Sequence, residues 1–204
     1  MKKYILAVCM LTTLLVACQN DRDQMEPEYE SMEEGQSIEV NKEAKEAVEL
    51  KVNLVDREGV EIGYATLKEE GDGVHIHLTA HQLPEGLHGF HIHEKGICEP
   101  PSFESAGGHF NPDGKNHGFD DPQGPHAGDM ENIEVLADGT VDVKVINDRV
   151  TLKRGEVNSL LQDEGTSLMI HRDPDDYITQ PAGNAGDRIA CGVISPEKST
   201  DKKD

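Results

Sequence analysis

His91 and His93 stand two apart in the run Gly89-Phe-His-Ile-His-Glu-Lys-Gly96. On a β-strand that spacing points both imidazoles to one face, so the two can ligate a single ion. Further along, the chain reads Ser105-Ala-Gly-Gly-His109-Phe-Asn-Pro112, then His117, then His126-Ala-Gly-Asp129. Three imidazoles and one carboxylate within 21 residues make a closed tetrahedral donor set suited to structural zinc. His171 ends the apolar run Leu168-Met-Ile170 and is followed by Asp175 and Asp176, carboxylates that can orient metal-bound imidazoles from behind. Same-face histidines on a half-exposed strand are common without a metal, and a polar loop can be His-rich by composition alone. Four of the ten histidines stay outside these groups: His75 and His77 alternate on a strand, His81 lies near its end, and His88 precedes the first block. Surface or structural roles are expected for all four.

Side chains this far apart in sequence need a scaffold that brings them together. From Val48 onward the chain runs in short alternations of apolar and polar residues, broken by Gly, Asn and Asp, which signals strands and tight turns. The expected strands are Glu49 to Val55, Val60 to Lys68, Val74 to Gln82, Leu87 to His93, Ile133 to Leu136, Val141 to Val145, Arg149 to Leu152, Leu168 to His171 and Arg188 to Val193. Helical periodicity is nearly absent, which points to an antiparallel sandwich or flattened barrel. With no Trp, its core must rest on Val, Ile and Leu. Two long stretches carry no strand pattern, Glu94 to Asp129 and Arg172 to Asp187. Loops of that length inside a compact domain are usually functional. The first holds Cys98, three histidines and several Gly and Pro residues, so a metal and a disulfide are what would hold it.

The ends read differently. Lys2 and Lys3 precede an apolar stretch from Tyr4 to Val16 that is short for a membrane span, and Leu15-Val16-Ala17-Cys18 looks like a bacterial lipobox. Residues 1–17 are therefore expected to be a lipoprotein signal peptide, with Cys18 carrying lipid and the working protein exported to the extracytoplasmic face of a cell membrane. Residues 18–47, dense in Asp and Glu, are expected to form an acidic disordered linker, followed by a domain over 48–195 and a disordered tail over 196–204. Of four cysteines, Cys9 leaves with the signal and Cys18 takes the lipid, so Cys98 and Cys191 remain as an even pair in an oxidising compartment and are expected to be bonded. The formal net charge of −21 excludes nucleic-acid binding through the general surface field.

The blocks Gly89 to Gly96, Ala106-Gly-Gly-His-Phe-Asn-Pro112, His126 to Asp129 and Gly183-Asn-Ala-Gly-Asp-Arg-Ile-Ala-Cys-Gly-Val193 together resemble the signature blocks of the copper/zinc superoxide dismutases, in family order and spacing. The resemblance covers about Val48 to Ser195. It implies an all-β, immunoglobulin-like Greek-key antiparallel barrel or sandwich of about eight strands with two long functional loops. It implies copper on His91, His93, His109 and His171, and zinc on His109, His117, His126 and Asp129, with His109 bridging both. Asp175 then matches the carboxylate linking a copper-bound and a zinc-bound histidine, Arg188 the anion-docking arginine, and Cys98 with Cys191 the family disulfide. The implied activity is an antioxidant one: conversion of two superoxide anions and two protons to dioxygen and hydrogen peroxide through a Cu(II)/Cu(I) cycle beside structural zinc. His109 and Arg188 are the implied catalytic residues. Asp187 stands where family members commonly have a small neutral residue. Rival readings are a catalytically weak or copper-handling metal-binding relative on the same fold, and a purely structural zinc protein of the envelope.

Overall fold

Alternation sets the sheet. In β1 (Glu49–Asp56), Leu50, Val52 and Leu54 turn inward while Glu49, Lys51 and Asn53 face solvent. The same period-two pattern buries Ala65 and Leu67 of β2 (Glu61–Glu70), where a register shift against Leu54 and Val55 also turns Ile62 inward, and Val74, Ile76, Leu78 and Ala80 of β3 (Gly73–Ala80). The computed structural model describes residues 49–195; the expected signal, linker, lipidation site Cys18 and tail lie outside the described residues. The remaining strands are β4 (Gly86–His88), β5 (Phe90–His93), β6 (Ile133–Val135), β7 (Val141–Asn147), β8 (Thr166–His171) and β9 (Arg188–Ile194). Seven form one antiparallel sheet in the order β5-β8-β9-β1-β2-β3-β7, and β4 pairs with β6 in a small second sheet. β9 thus lies beside β1, and the β7-to-β8 connection crosses from one edge of the large sheet toward the other, giving the expected Greek-key character.

Two expected strands come out differently. The run Leu87 to His93 is divided at Gly89 into β4 and β5, which belong to different sheets. A side chain at Gly89 would meet the Ala185 Cβ at 2.9 Å and the His91 ring at 3.1 Å, so the break lets the backbone pass beside the site. The run Arg149 to Leu152 is not a strand; Thr151 makes only an isolated bridge to Ser159. Its alternating apolar residues serve another purpose: Val150 and Leu152 join Leu160 and Leu161 in the main core from a third long irregular segment, between β7 and β8.

β5 and β8 are buried on both faces, unlike the other strands. Phe90, Ile92, Leu168 and Ile170 pack into the main core, while the opposite face is covered by the long loop after β5. Under that loop a second apolar cluster of Phe103, Ala106, Met169 and Cys191 holds it to the sheet, and Cys98 is bonded to Cys191 across it.

Candidate metal centre

β5 is the edge of the large sheet, and the loop supplies the missing partners of its backbone. Phe110 N–H donates to Ile92 O, and Ile92 N–H donates to Gly128 O, each at 2.8 Å. Two bridges result, His93 opposite His109 and His91 opposite Asp129. The sheet edge therefore delivers loop residues to strand residues in fixed register, and the donor groups converge through backbone pairing. His171 arrives on the same face of β8, next to β5.

Two groups of four result, and His109 belongs to both. The potential donor atoms of His91, His93, His109 and His171 lie within 4.8 Å of one another, as do those of His109, His117, His126 and Asp129; all seven residues are buried. Asp129 Oδ1 lies 2.8 Å from His109 Nδ1, 3.1 Å from His117 Nδ1 and 3.3 Å from His126 Nδ1. The other carboxylate oxygen, Oδ2, accepts from the backbone N–H groups of Gly118 and His126 at 2.9 Å each, which fixes its direction.

Each strand imidazole has one nitrogen tied down behind it. His91 Nε2 bonds Asp175 Oδ2 at 2.7 Å, His93 Nδ1 donates to Gly107 O at 3.0 Å, and His171 Nδ1 to Gly186 O at 3.3 Å. Asp175 spans the two groups, because its Oδ1 also bonds His117 Nε2 at 3.0 Å. Asn132 holds Asp175 in turn: its side chain accepts from Asp175 N–H and donates to Asp175 O. What these bonds leave is diagnostic. His91 Nδ1, His109 Nε2, His117 Nδ1 and His126 Nδ1 are buried without a hydrogen-bond partner, although the last two approach Asp129 closely. Buried nitrogens aimed at shared points and left unpaired are costly unless a cation occupies those points. The seven residues fit a pair of metals joined through His109. Imidazole alone on one side suits copper, and three imidazoles with a carboxylate suit zinc.

Protonation follows the same division. Burial, reinforced by neighbouring histidines, holds His93 and His171 well below the usual histidine range. Burial also takes His109 down to about 4, against the opposing pull of Asp129. These rings are neutral near pH 7, so His93 and His171 need lose no proton to accept a metal, whereas His109, to serve two metals, would give up its one N–H. His117 is the contrast: burial disfavours its charge, but its bonds to Asp129 and Asp175 outweigh that and raise it to about 9. Burial opposes ionisation of Asp129 and Asp175 too, yet the histidines bonded to each hold both carboxyls far below the ordinary range.

Arg188 reaches the site through an irregularity in β9. Ile170 pairs with Ala190, but His171 pairs with Arg188, so Ile189 is an extra residue in the ladder. Ala190 and Ile189 both pack toward the main core. Without the bulge Arg188 would share the face of Ala190; with it, Arg188 emerges on the loop side opposite His171. Its guanidinium donates to Phe103 O at 2.5 Å and to Gly107 O at 2.7 Å. Gly107 O thus ties Arg188 to His93.

The structure gathers every expected donor, Asp175, Arg188 and the Cys98–Cys191 bond around one place. Asp176 is not among them: its carboxylate accepts from the backbone of Ile178 and Thr179 in an exposed turn. Gly107, Gly186 and Asn132, which fix ring and carboxylate directions, carry no signal in the sequence, since two act through carbonyls and the third is an ordinary asparagine. Gly183 does the same by absence, with φ of 65° and no room for a Cβ beside Asp175 and His117. The four remaining histidines take local roles. His75 and His77 bond Asp72 and Asp142, His88 bridges Pro84 O and His171 O, and exposed His81 lies just past β3.

Comparison with known proteins agrees with this geometry. Residues 61–194 match the family described as copper/zinc superoxide dismutase (SODC). The chain is 58% identical over 142 residues to the second copper–zinc superoxide dismutase of Aquifex aeolicus, covering 69% of this chain and 83% of that one. Among solved structures it resembles a double mutant of a SOD-like protein from Bacillus subtilis in which a tyrosine and a proline are each replaced by histidine. That match has a TM-score of 0.70 and 50% identity over 72% of this chain and 97% of the other. The copper/zinc superoxide dismutase of Brucella abortus matches with a TM-score of 0.61 and 30% identity over 72% and 99%.

Proposed function

The chain belongs to the copper/zinc superoxide dismutase family, and from that premise we propose that His91, His93, His109 and His171 hold the copper and His109, His117, His126 and Asp129 the zinc of a superoxide dismutase. Copper held there supplies the one-electron couple that superoxide disproportionation needs and that zinc lacks. The protein supplies the rest. Arg188, whose cation persists at any working pH, holds the small anion beside the four imidazoles, and its two carbonyl acceptors keep it aimed there. His109 Nε2 can hold a proton for the product whenever it is not serving as a donor atom, while Nδ1 stays bound to the Asp129 side. Asp175 keeps both halves in register through His91 and His117. The observation that carries this reading is the single imidazole of His109 shared by two complete buried donor groups. A storage or zinc-only protein has no use for that sharing together with an anion-holding arginine.

The test is disproportionation by the copper- and zinc-loaded chain. Activity well above that of free copper is expected, with Arg188→Ala lower by on the order of 10-fold or more. Wild-type activity no higher than free copper sinks the reading. We also propose that residues 1–17 direct export, that Cys18 carries the lipid, and that residues 18–47 tether the catalytic domain over 48–195 to the extracytoplasmic membrane face, with 196–204 as a tail. Lys2, Lys3, the apolar run to Val16, the Ala17-Cys18 pair and a disulfide in the domain support this. Cys18→Ser should move the protein from the membrane fraction to the soluble one; unchanged fractionation rules the anchor out.

A further inference from the structure

An anionic substrate must approach a chain of net charge −21, so the few charges at the entrance carry unusual weight. Beside Arg188 lies a surface cavity of about 270 Å³ lined by Arg57, Ser102, Glu104, Gly186, Asp187 and Arg188. Two guanidiniums there face two carboxylates, and the lining is electrically balanced. Asp187 does most of the balancing. Its Oδ2 lies 3.3 Å from Arg57 Nη1 and 2.8 Å from Arg172 Nη2, so one carboxylate occupies two cations, one in the cavity wall and one just outside it. The backbone fixes this placement independently of the charge. Arg172 N–H donates to Asp187 O at 2.8 Å, and Arg57 Nε donates to Pro101 O at 3.1 Å.

Resting on the function proposed above, we propose that Asp187 is a capture-limiting residue: by pairing with Arg57 and Arg172 it cancels cations that would otherwise extend the attraction of Arg188 outward, and so sets the rate and affinity with which small anions enter. An uncharged amide at position 187 can keep hydrogen bonds to both arginines while removing the charge. Asp187→Asn therefore separates electrostatics from scaffolding.

The experiment uses the full-length, copper- and zinc-loaded protein and reads two quantities against ionic strength: the second-order rate constant for superoxide, and azide affinity followed by the visible absorption of the copper. At about 0.01 M salt, where screening is weak, Asp187→Asn should raise both by about two- to threefold. The gain should disappear near 0.5 M salt, and adding Arg57→Gln should remove most of it. Melting temperature accompanies each variant, because a merely structural role would move stability without steepening the salt dependence. Unchanged or weaker azide binding at low salt, or a gain that persists at high salt, overturns the proposal. If the wild type binds azide but disproportionates no superoxide, the function reading fails, and the azide series alone still decides the role of Asp187.

Discussion

His109→Ala will cost the loaded enzyme more than about 100-fold in superoxide disproportionation and will weaken retention of both metals, whereas His126→Ala will weaken zinc and leave copper largely in place. Loss of a residue that only orients a ligand costs 10- to 100-fold, and His109 is expected to be a ligand twice over. Its Nδ1 lies 2.8 Å from Asp129 Oδ1, and its Nε2 is buried and unpaired toward His91, His93 and His171. Alanine removes one donor from each group and leaves the others around a void. Metal analysis with a rate measurement checks the outcome. A His109→Ala protein that keeps a tenth of wild-type activity with both metals bound would show that the two groups do not work through this ring.

Replacing Cys98 and Cys191 together by serine should lower stability by about 4 kcal/mol, since the bond joins residues separated by 93 positions and the entropy that an unfolded chain regains when so long a loop is opened is about that size. The effect should not stop at stability. The bond pins the segment whose Phe103 and Gly107 carbonyls hold Arg188, and Phe103 packs with Met169 and Cys191 beneath it. Serines there would place one hydroxyl at a buried position, 191, and one at a partly buried position, 98, and would free that segment. Denaturant midpoints of the loaded wild type and the double variant measure the first effect, and the rate constant at a temperature where both stay folded measures the second. A stability change under about 1 kcal/mol, or an unchanged rate, would show that the metals and the apolar cluster suffice to hold the loop.

The donor residues were legible because ligation leaves a trace in residue type and spacing. Two histidines at period two, three more with an aspartate in a loop, and one at a strand end can be read without coordinates. Alternation likewise marks β1, β2 and β3, each with one face in the core and the other wet. Legibility failed where that contrast vanishes. β5 and β8 are covered on both faces, so their limits depend on a loop far away in sequence. Val150 and Leu152 mimic a strand because plugging a core also demands apolar residues. Contacts made by backbone carbonyls, such as Gly107 O to His93 and Arg188, have no side-chain signature. The partners of Asp187 were out of reach for a different reason: Arg57 is 130 residues away from it, and ordinary surface arginines announce no destination.

The extra residue in β9 gives the strand two reading frames. Below Ile189 odd and even positions address one pair of faces, and above it the assignment is exchanged, as though one letter had been inserted into a two-letter code. Straightening the ladder with Ile189 kept in register would not merely weaken Arg188; it would readdress the guanidinium to the barrel interior without changing the composition of the strand. Transplanting this centre to another sandwich therefore requires copying a phase as well as a set of residues. A design that matched all seven donors and kept the Arg-Ile-Ala spacing on an unbroken ladder would deliver its arginine to the wrong side.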